Sequence, residues 1–449
     1  MPPAFSPQTI DALHRMALDK QVADRIPGLV AGVGRQGSLD WWTGIGCASA
    51  DRPDDAPDAD TQFAIASITK TFVAVVVMAL RDEGRLALDD TVDTLLTGSA
   101  HGVTVRQLLA HASGMQREPV GDIWDTLVFP ERDALVSGWD EAARVGRPHD
   151  RFHYSNLGFA ILGEVIARLD GGDWFASIQR RILDPLAMTR TTLGLSRPHA
   201  TGYFVPPFTD VPVEEPALDL LAAAPAGGMA STLADLARWG GFLAEPTAEV
   251  LHPDTLEEMC QPQVVVDLEG WTHTHGLGLM LLRERGRTWV GHTGGFPGFI
   301  TGLMVHRDSG TAGLVLTNAT SATAPGSFAA QLGSYAVEHE PALPAVWRPG
   351  TLVPEELSPL LGRWYSEGRA FVFTVREGRL EVRAEATPDA PPSLFEHVVD
   401  DTWRTTSGRE RGELLRLRRD DQGRVTRLNW ATYLFTREPY AFGEWLTER

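Results

Sequence analysis

The segment at residues 67–84, "SITKTFVAVVVMALRDEG", places the strongest constraint on how this chain can fold. Every position from 72 to 80 is apolar, so a helix formed here is hydrophobic around most of its circumference. Such a helix is stable only where other elements cover it on all sides, which requires a sizeable core. The sequence therefore predicts a buried helix that ends at Gly84 and has Ser67 at its N-terminus.

The segments around this helix differ in their apolar period. Residues 29–33 and 39–45 predict a hairpin, and an alternating strand pattern returns after about Gly276. Between them the spacing is mostly helical, at residues 105–112, 131–144, 156–169 and 174–183, and a last helix is predicted at 327–338. This order predicts an α+β fold with one antiparallel sheet built from both chain ends, flanking helices and a helical lobe between them.

The C-terminal part of the chain has a different pattern. Residues 341–356 are rich in proline and predict a linker, whereas residues 357–449 consist of alternating runs separated by turns. We therefore expect a mixed domain at 1–340, a linker, and a small all-β barrel at 357–449. The aromatic side chains of the last part are expected to form its core rather than a ligand site: Trp364, Phe371, Phe373, Trp403 and Trp430.

Composition limits the classes of partner. The net charge of -19 argues against binding to nucleic acid or to an anionic membrane surface, because both need clustered basic side chains. No window reaches about 18 uninterrupted apolar residues, so no membrane span is predicted. The N-terminus lacks the basic and apolar regions of a signal peptide, so a cytoplasmic location is expected.

Lys70 is an unusual residue in this chain, which contains 2 lysines and 38 arginines. Arginine keeps its proton inside proteins, whereas a buried lysine can lose it. The three-residue spacing puts Ser67 and Lys70 on one face of the helix, where a neutral amine can take the hydroxyl proton and activate the serine as a nucleophile. The alternative is that Ser67 only caps the helix and that Lys70 is an ordinary lysine.

A second motif, "HYSNLGF", places Tyr154 and Asn156 at a predicted loop-to-helix boundary. A tyrosine hydroxyl near a lysine can share in proton transfer, and the Asn156 amide can bind a substrate carbonyl or the lysine itself. The alternative is that Ser155 or Asn156 is simply the cap of the next helix.

A third motif, "GHTGG", follows a strand predicted at 288–291 and contains His292 and Gly295. Adjacent glycines on a strand let a substrate backbone approach closely. The backbone N–H of Gly295 can then join that of Ser67 as an oxyanion hole. The alternative is a glycine-rich turn with a surface histidine.

Taken together, the motifs S-x-x-K, Y-S-N and H-T-G, in this order, resemble those of the serine β-lactamase and penicillin-binding protein superfamily. The resemblance is to the class C-like branch, which includes D-aminopeptidases, D-Ala-D-Ala carboxypeptidases and esterases, and it covers residues 8–340. The stretches at 108–115 and 227–239 look like further landmarks of this branch, with structural roles expected. The C-terminal part resembles the lipocalin-like module that is appended to many of these hydrolases.

This resemblance implies a covalent acyl-serine mechanism without a cofactor. Ser67 is then the acylated nucleophile, Lys70 its general base and Tyr154 the partner in proton transfer. The implied substrate-binding residues are Asn156, His292, Thr293 and Gly294, and the implied oxyanion hole consists of the N–H groups of Ser67 and Gly295. Many members have lysine at the position of His292, and a mostly neutral histidine weakens the expectation that a substrate carboxylate binds there.

The expected function is that of an acyl-serine hydrolase or acyltransferase acting on a small-molecule or peptide amide or ester. One alternative is a stand-alone penicillin-binding-protein-type thioesterase or peptide cyclase that releases nonribosomal peptides from a carrier-bound thioester. Another is a non-catalytic ligand-binding or sensor protein of the same fold. His273 and His275 alternate on one predicted strand, but no third ligand of suitable spacing is evident, so no metal site is expected.

Overall fold

The computed structural model describes residues 5–96, 102–341, 346–350 and 352–441. The chain divides into two compact units, Met1–Leu343 and Pro344–Arg449. The linker predicted at 341–356 lies partly outside the described residues, and the three-part division stays a prediction. None of the helices within the described ranges is both long enough and apolar enough to cross a membrane.

The helices and strands are numbered in chain order. The helices are α1 (Pro7–Ala23), α2 (Thr69–Asp82), α3 (Val92–Leu95), α4 (Val105–Leu109), α5 (Ile123–Thr126), α6 (Arg132–Gly138), α7 (Asn156–Leu169), α8 (Trp174–Ile178), α9 (Leu233–Ala244), α10 (Pro253–Met259) and α11 (Pro325–His339). The strands of the first unit are β1 (Gly28–Arg35), β2 (Ser38–Gly46), β3 (Phe63–Ala64), β4 (Thr192–Leu193), β5 (Tyr203–Phe204), β6 (Val213–Glu214), β7 (Met229–Ser231), β8 (Val264–Val265), β9 (His273–His275), β10 (Met280–Glu284), β11 (Arg287–Phe296), β12 (Phe299–His306) and β13 (Thr311–Thr317). Those of the second unit are β14 (Gly362–Ser366), β15 (Arg369–Arg376), β16 (Arg379–Ala384), β17 (Ser393–Val399), β18 (Thr402–Thr405), β19 (Leu414–Arg419), β20 (Val425–Trp430) and β21 (Tyr433–Phe435).

An eight-stranded antiparallel sheet forms the framework of the first unit, in the order β2-β1-β13-β12-β11-β10-β9-β8. The early hairpin pairs with β13 from the other end of the unit, with Leu29 opposite Thr317. This confirms the predicted sheet built from both chain ends. Helices cover both of its faces. Ala312 and Gly313 are successive residues of β13, so they point to opposite faces of the sheet. Gly240 of α9 packs so close to Ala312 that a Cβ on the glycine would lie 2.7 Å from the alanine side chain, and a Cβ on Gly313 would meet the backbone of α11.

The apolar segment at 67–84 forms a 3₁₀ turn, Ala66–Ile68, followed directly by α2. Every side chain from position 69 to position 78 is buried, and Phe72 stacks on Trp239 of α9 with 4.1 Å between ring centroids. Ser67 is partly exposed although its neighbours on both sides are buried. The predicted buried helix is thus confirmed, and it holds Lys70 in the core while Ser67 stays accessible.

The helix predicted at 131–144 is wrong in its second half, because α6 ends at Gly138. Residues beyond it leave the helix to pair with another segment. The backbone N–H of Gln116 donates to Ala143 O at 2.8 Å, and Met115 forms a bridge with Arg144. Tertiary pairing here overrides the local helical spacing.

The strand predicted to end at Gly291 continues through the "HTGG" motif to Phe296. Gly294 and Gly295 pair with Thr301 and Ile300 of β12, so the two glycines lie inside the ladder rather than in a turn. Successive side chains of this motif therefore point to opposite faces of the sheet.

The second unit is an eight-stranded antiparallel sheet in which β14 to β21 follow each other in chain order. Tyr365 and Thr436 exchange two backbone hydrogen bonds, at 2.8 and 2.9 Å, and so join the two ends of the sheet into a nearly closed barrel. Trp364, Phe373, Trp403 and Trp430 are buried inside it, and Phe371 packs partly buried against them. The predicted barrel and its aromatic core are confirmed.

Candidate active site

The turn that carries Ser67 has a strained backbone. Ala66, directly before the serine, has a φ of 45°, a left-handed conformation that costs a non-glycine residue about 1–2 kcal/mol. Packing on two sides fixes this turn: the Ile65 N–H donates to Met229 O at 3.0 Å, and a Cβ at Gly294 of β11 would lie only 2.2 Å from Ile65 O. Strain that the surrounding structure holds in place is common where a reactive side chain is presented.

Lys70 is fully buried and makes three hydrogen bonds. Its Nζ lies 2.8 Å from Asn156 Oδ1 and 2.5 Å from the Ala226 carbonyl oxygen. Both of these oxygens can only accept, so each takes one N–H of the lysine. The third neighbour is Ser67 Oγ at 3.2 Å, which can donate as well as accept. A neutral amine has two N–H groups and one lone pair, and this arrangement matches it with the lone pair facing the serine hydroxyl.

The electrostatic surroundings favour this neutral form. Burial lowers the pKa of Lys70 well below the usual lysine value of 10.5, against the attraction of the Glu118 carboxylate, which raises it. The nearby Arg117 guanidinium lowers this pKa further. In its neutral form, the Lys70 amine has a lone pair within hydrogen-bond distance of the Ser67 hydroxyl.

Tyr154 is partly exposed and lies beside the same serine. Desolvation raises the pKa of this phenol above its usual value of 10.0, against the interaction with the Ser67 side chain, which lowers it. The phenol therefore keeps its proton at neutral pH. The Lys70 Nζ lies 4.9 Å from the centre of the tyrosine ring, and the Arg117 guanidinium lies 5.0 Å from it.

Asn156 is occupied at both ends of its side-chain amide. Its Oδ1 accepts from Lys70, and its Nδ2 donates to Glu118 Oε1 at 2.8 Å. The sequence leaves open whether this amide binds a substrate carbonyl or the lysine, and in the structure it binds the lysine. The neighbouring Ser155 caps α7 by accepting from Gly158 N–H, so the cap and the site occupy adjacent positions.

The β11 residues of the third motif divide between the two faces of the sheet. Gly294 packs against Ile65, which directly precedes the 3₁₀ turn that carries Ser67 (the nucleophile turn), and Gly295 is exposed. The Thr293 side chain points to the face opposite that of Gly294. There its hydroxyl contacts Met280 Sδ at 3.7 Å and its methyl group packs close to Gly326 of α11. The structure thus brings Gly294 of β11 to the turn that precedes Ser67, whereas the Thr293 side chain contacts Met280 instead.

His292 is 2% exposed, and its Nδ1 donates to the Thr293 carbonyl at 2.6 Å. One ring nitrogen of each of His111, His275 and His292 lies within 4.8 Å of those of the other two, and all three rings are buried. His275 thus has two ligand-type neighbours that its sequence spacing does not reveal. The neighbours come from distant segments, whereas His273 is not part of the group.

Sequence reasoning missed His111 and Glu118 as residues of the site. His111 stacks on the Tyr154 ring at 4.2 Å between centroids, and Glu118 holds the Asn156 amide. The only signal for His111 is its position inside the stretch at 108–115, for which the resemblance implies a structural role. No local pattern distinguishes Glu118 from other acidic residues.

The antiparallel sheet with covering helices, and a Ser–Lys pair at the start of a buried helix, define a serine hydrolase of the β-lactamase fold. The chain belongs to the β-lactamase family, whose model, described as "Beta-lactamase", matches residues 14–337. A second model, "Domain of unknown function (DUF7586)", matches residues 353–437, within the barrel unit.

Comparison with individual proteins agrees with this assignment. Penicillin-binding protein 4 of Amycolatopsis lactamdurans is 30% identical over 342 residues, which are 70% of this chain and 87% of that protein. A D-stereospecific amidohydrolase from a Streptomyces species has a similar structure, with a TM-score of 0.61 and 27% identity over 72% of this chain and 97% of that one. The octameric penicillin-binding protein homologue from Pyrococcus abyssi has a similar fold over 95% of this chain and 100% of its own, with a TM-score of 0.64 and 22% identity.

Proposed function

We propose that this protein is an acyl-serine hydrolase or acyltransferase for amide, ester or peptide substrates, and that Ser67 carries the acyl group. The observation that carries the proposal is the hydrogen bonding of Lys70: two acceptor-only oxygens and the Ser67 hydroxyl surround a buried nitrogen. A scaffold protein has no need to bury an amine beside an accessible serine, because an unpaired buried cation destabilises the fold. Membership of a serine hydrolase family supports the same assignment.

The proposed first step moves one proton and forms one bond. The Ser67 hydroxyl proton passes to Lys70 Nζ while Oγ attacks the substrate carbonyl carbon. The backbone N–H groups of Ser67 and Gly295 stabilise the negative charge that develops on the carbonyl oxygen. The C–N or C–O bond then breaks, and the leaving group takes a proton through Tyr154, which regains one from Lys70.

The second step transfers the acyl group to an acceptor. Water as acceptor makes the protein a hydrolase, and an amine makes it an acyltransferase or, with a peptide's own amine, a cyclase. The residues of the first step serve in reverse, with Lys70 or Tyr154 taking a proton from the acceptor. The acceptor thus depends on whether the acylated site admits water or an amine, and the test described below, run with and without an added amine, distinguishes the two.

Amides of D-amino acids are the first substrates to test, because a D-stereospecific amidohydrolase has a similar structure at 27% identity. The buried, neutral His292 supplies no fixed positive charge, which favours substrates without a carboxylate at that position.

The test is intact-mass detection of acyl-enzyme with D- and L-amino-acid amides, esters and peptidyl thioesters, each with and without an added amine. We expect a mass increase equal to the acyl group, located on the peptide that contains Ser67. Ser67→Ala should lose the adduct, whereas Ser38→Ala, which changes an exposed serine, should keep it. If neither substrates nor a fluorophosphonate probe label Ser67, the protein is a non-catalytic member of the fold and the proposal is overturned.

A further inference from the structure

A cluster of three histidines next to the proposed catalytic groups takes no part in the steps above. His111, His275 and His292 are each at most 2% exposed. Among the described residues, the Nε2 atom of each ring has no hydrogen-bond partner. Buried polar atoms without partners are rare and costly, so three of them in one place indicate a ligand that the protein is built to hold.

The backbone determines which nitrogen of each ring carries hydrogen. His275 Nδ1 lies 3.1 Å from Gly276 O and His292 Nδ1 lies 2.6 Å from Thr293 O; carbonyl oxygens only accept, so both Nδ1 atoms carry hydrogen. In the neutral rings their Nε2 atoms are therefore acceptors.

His111 has the opposite arrangement. The backbone N–H of Ser155 donates to His111 Nδ1 at 3.0 Å, so this nitrogen is an acceptor and Nε2 of the neutral ring carries the hydrogen. The cluster thus presents one donor and two acceptors. Burial lowers the pKa of all three rings, which keeps them neutral.

This hydrogen pattern disfavours a metal ion as the ligand. A metal needs a lone pair from each ring, and His111 offers an N–H instead. If His111 Nε2 bound a metal, the ring hydrogen would have to move to Nδ1. Nδ1 would then point an N–H at the Ser155 N–H, and the hydrogen bond between them would be lost. His275 and His292 alone leave only two protein ligands, fewer than zinc sites use.

A water molecule matches the pattern, because it accepts from one neighbour and donates to two. Because one ring nitrogen of each histidine lies within 4.8 Å of the other two, a single point lies within about 2.8 Å of all three, a normal hydrogen-bond length. Three bonds are also the usual number for a buried water.

We propose that His111, His275 and His292 bind one buried water molecule, and that this water-centred cluster positions Tyr154 through His111. The His111 ring stacks on Tyr154, and its Nδ1 fixes the N–H of the next residue, Ser155. His275 packs edge-on against His111 at 4.8 Å between centroids, so the water bond and this contact both determine the tilt of the His111 ring. The water site does not depend on the proposed function, whereas the positioning role rests on it.

The water site is tested by ¹⁵N NMR of the histidine side chains of the full-length protein, with signals assigned through single-histidine variants. We expect His111 in the Nε2–H form and both His275 and His292 in the Nδ1–H form. Added Zn²⁺ should leave these three signals unchanged at one equivalent. Nδ1–H on all three rings, or stoichiometric Zn²⁺ binding that His275→Gln abolishes, would identify a metal site and overturn the proposal.

The positioning role is tested with His275→Leu, which removes an acceptor, and His275→Gln, whose Oε1 can replace the Nε2 acceptor. With any substrate that acylates Ser67, we expect the leucine variant to lower kcat about tenfold with little change in KM. One buried hydrogen bond is lost, and a Tyr154 ring that is less well positioned weakens proton transfer in the transition state more than substrate binding. The glutamine variant should recover most of this loss. Equal kcat values for the two variants, or a change confined to KM, would contradict the positioning role. The wild-type NMR result stays valid whether or not either variant folds, and whether or not the protein is an enzyme.

Discussion

At the scale of single residues, the proposed chemistry depends on the charge of Lys70. Lys70→Arg keeps a positive charge at this position but removes the capacity to accept a proton. We expect the rate of Ser67 acylation to fall by about 10²–10⁴-fold, the usual contribution of a general base. Lys20→Arg is the matched control, because Lys20 is the other lysine of the chain and pairs with Asp24 at 2.7 Å outside the site. Near-normal acylation by Lys70→Arg would exclude the base role.

The pH dependence of acylation provides a second test of Lys70. Because only the neutral amine accepts the proton, kcat/KM should rise with pH as Lys70 loses its proton, and this rise should lie well below pH 10.5. The raised pKa of Tyr154 means that the phenol causes no fall in rate below about pH 10.

Glu118→Gln tests whether the rise of kcat/KM with pH (the acid limb of the profile) is due to Lys70. It removes the carboxylate that favours charged Lys70 but keeps an oxygen that can accept from the Asn156 amide. The acid limb should therefore move to lower pH. A limb that stays in place, or moves to higher pH, would show that another group titrates there.

The sequence predicts some members of this site because their chemistry is local. Ser67 and Lys70 are only three positions apart in a segment with a helical pattern, so spacing alone predicts their contact. The partners of Lys70 at Asn156 and Ala226, and the stacking of His111 on Tyr154, join segments that are far apart in the chain. Only the packed fold brings them together, and no periodicity in a single sequence reports it.

At the scale of elements, the register of β11 against the nucleophile turn sets the position of Ser67. Gly294→Ala would place a Cβ 2.2 Å from Ile65 O and 2.4 Å from Thr301 Oγ1. We expect a loss of about 1–3 kcal/mol in the free energy of unfolding, as for other overpacked sites, together with slower acylation because Ile65 lies two residues before Ser67.

Gly295→Ala is the matched variant on the same strand. Its Cβ would meet only Ile300 Cδ1 at 3.5 Å, an ordinary contact, and the substitution keeps the backbone N–H. The free energy of unfolding should change by less than about 0.5 kcal/mol. Denaturant unfolding and acylation rates check both variants, and equal losses in the two would contradict the assigned packing.

Element types were predictable where the local apolar pattern is strong, as in α2 and in strands β12 and β13. Their ends were not, because the ends depend on partners. The helix predicted at 131–144 stops at Gly138 so that residues near 143 can bridge to Met115 and Gln116. The "HTGG" glycines suggested a turn by composition but lie in β11 because β12 pairs with them.

At the scale of the whole molecule, the chain contains separate hydrophobic cores in its two units. The first unit packs one core around α2 and another between the sheet and α11, and the barrel packs a third from its own strands. All residues proposed to act in acyl transfer lie within Met1–Leu343. Units with separate cores can unfold separately, because cooperativity within each depends on its own packed interior.

Two core substitutions in the full-length chain test this separation. Trp364→Ala in the barrel and Trp239→Ala beside Phe72 each remove a buried indole, at a cost of about 3–5 kcal/mol to the unit concerned. Calorimetry of the wild type should resolve two unfolding transitions. Trp364→Ala should lower the temperature of one while the rate of Ser67 labelling stays unchanged, because the acylating residues belong to the other core. Trp239→Ala should lower the other transition and slow the labelling. A single transition that both variants shift equally would mean that the two units fold as one cooperative body, and the barrel would then contribute to the stability of the active site.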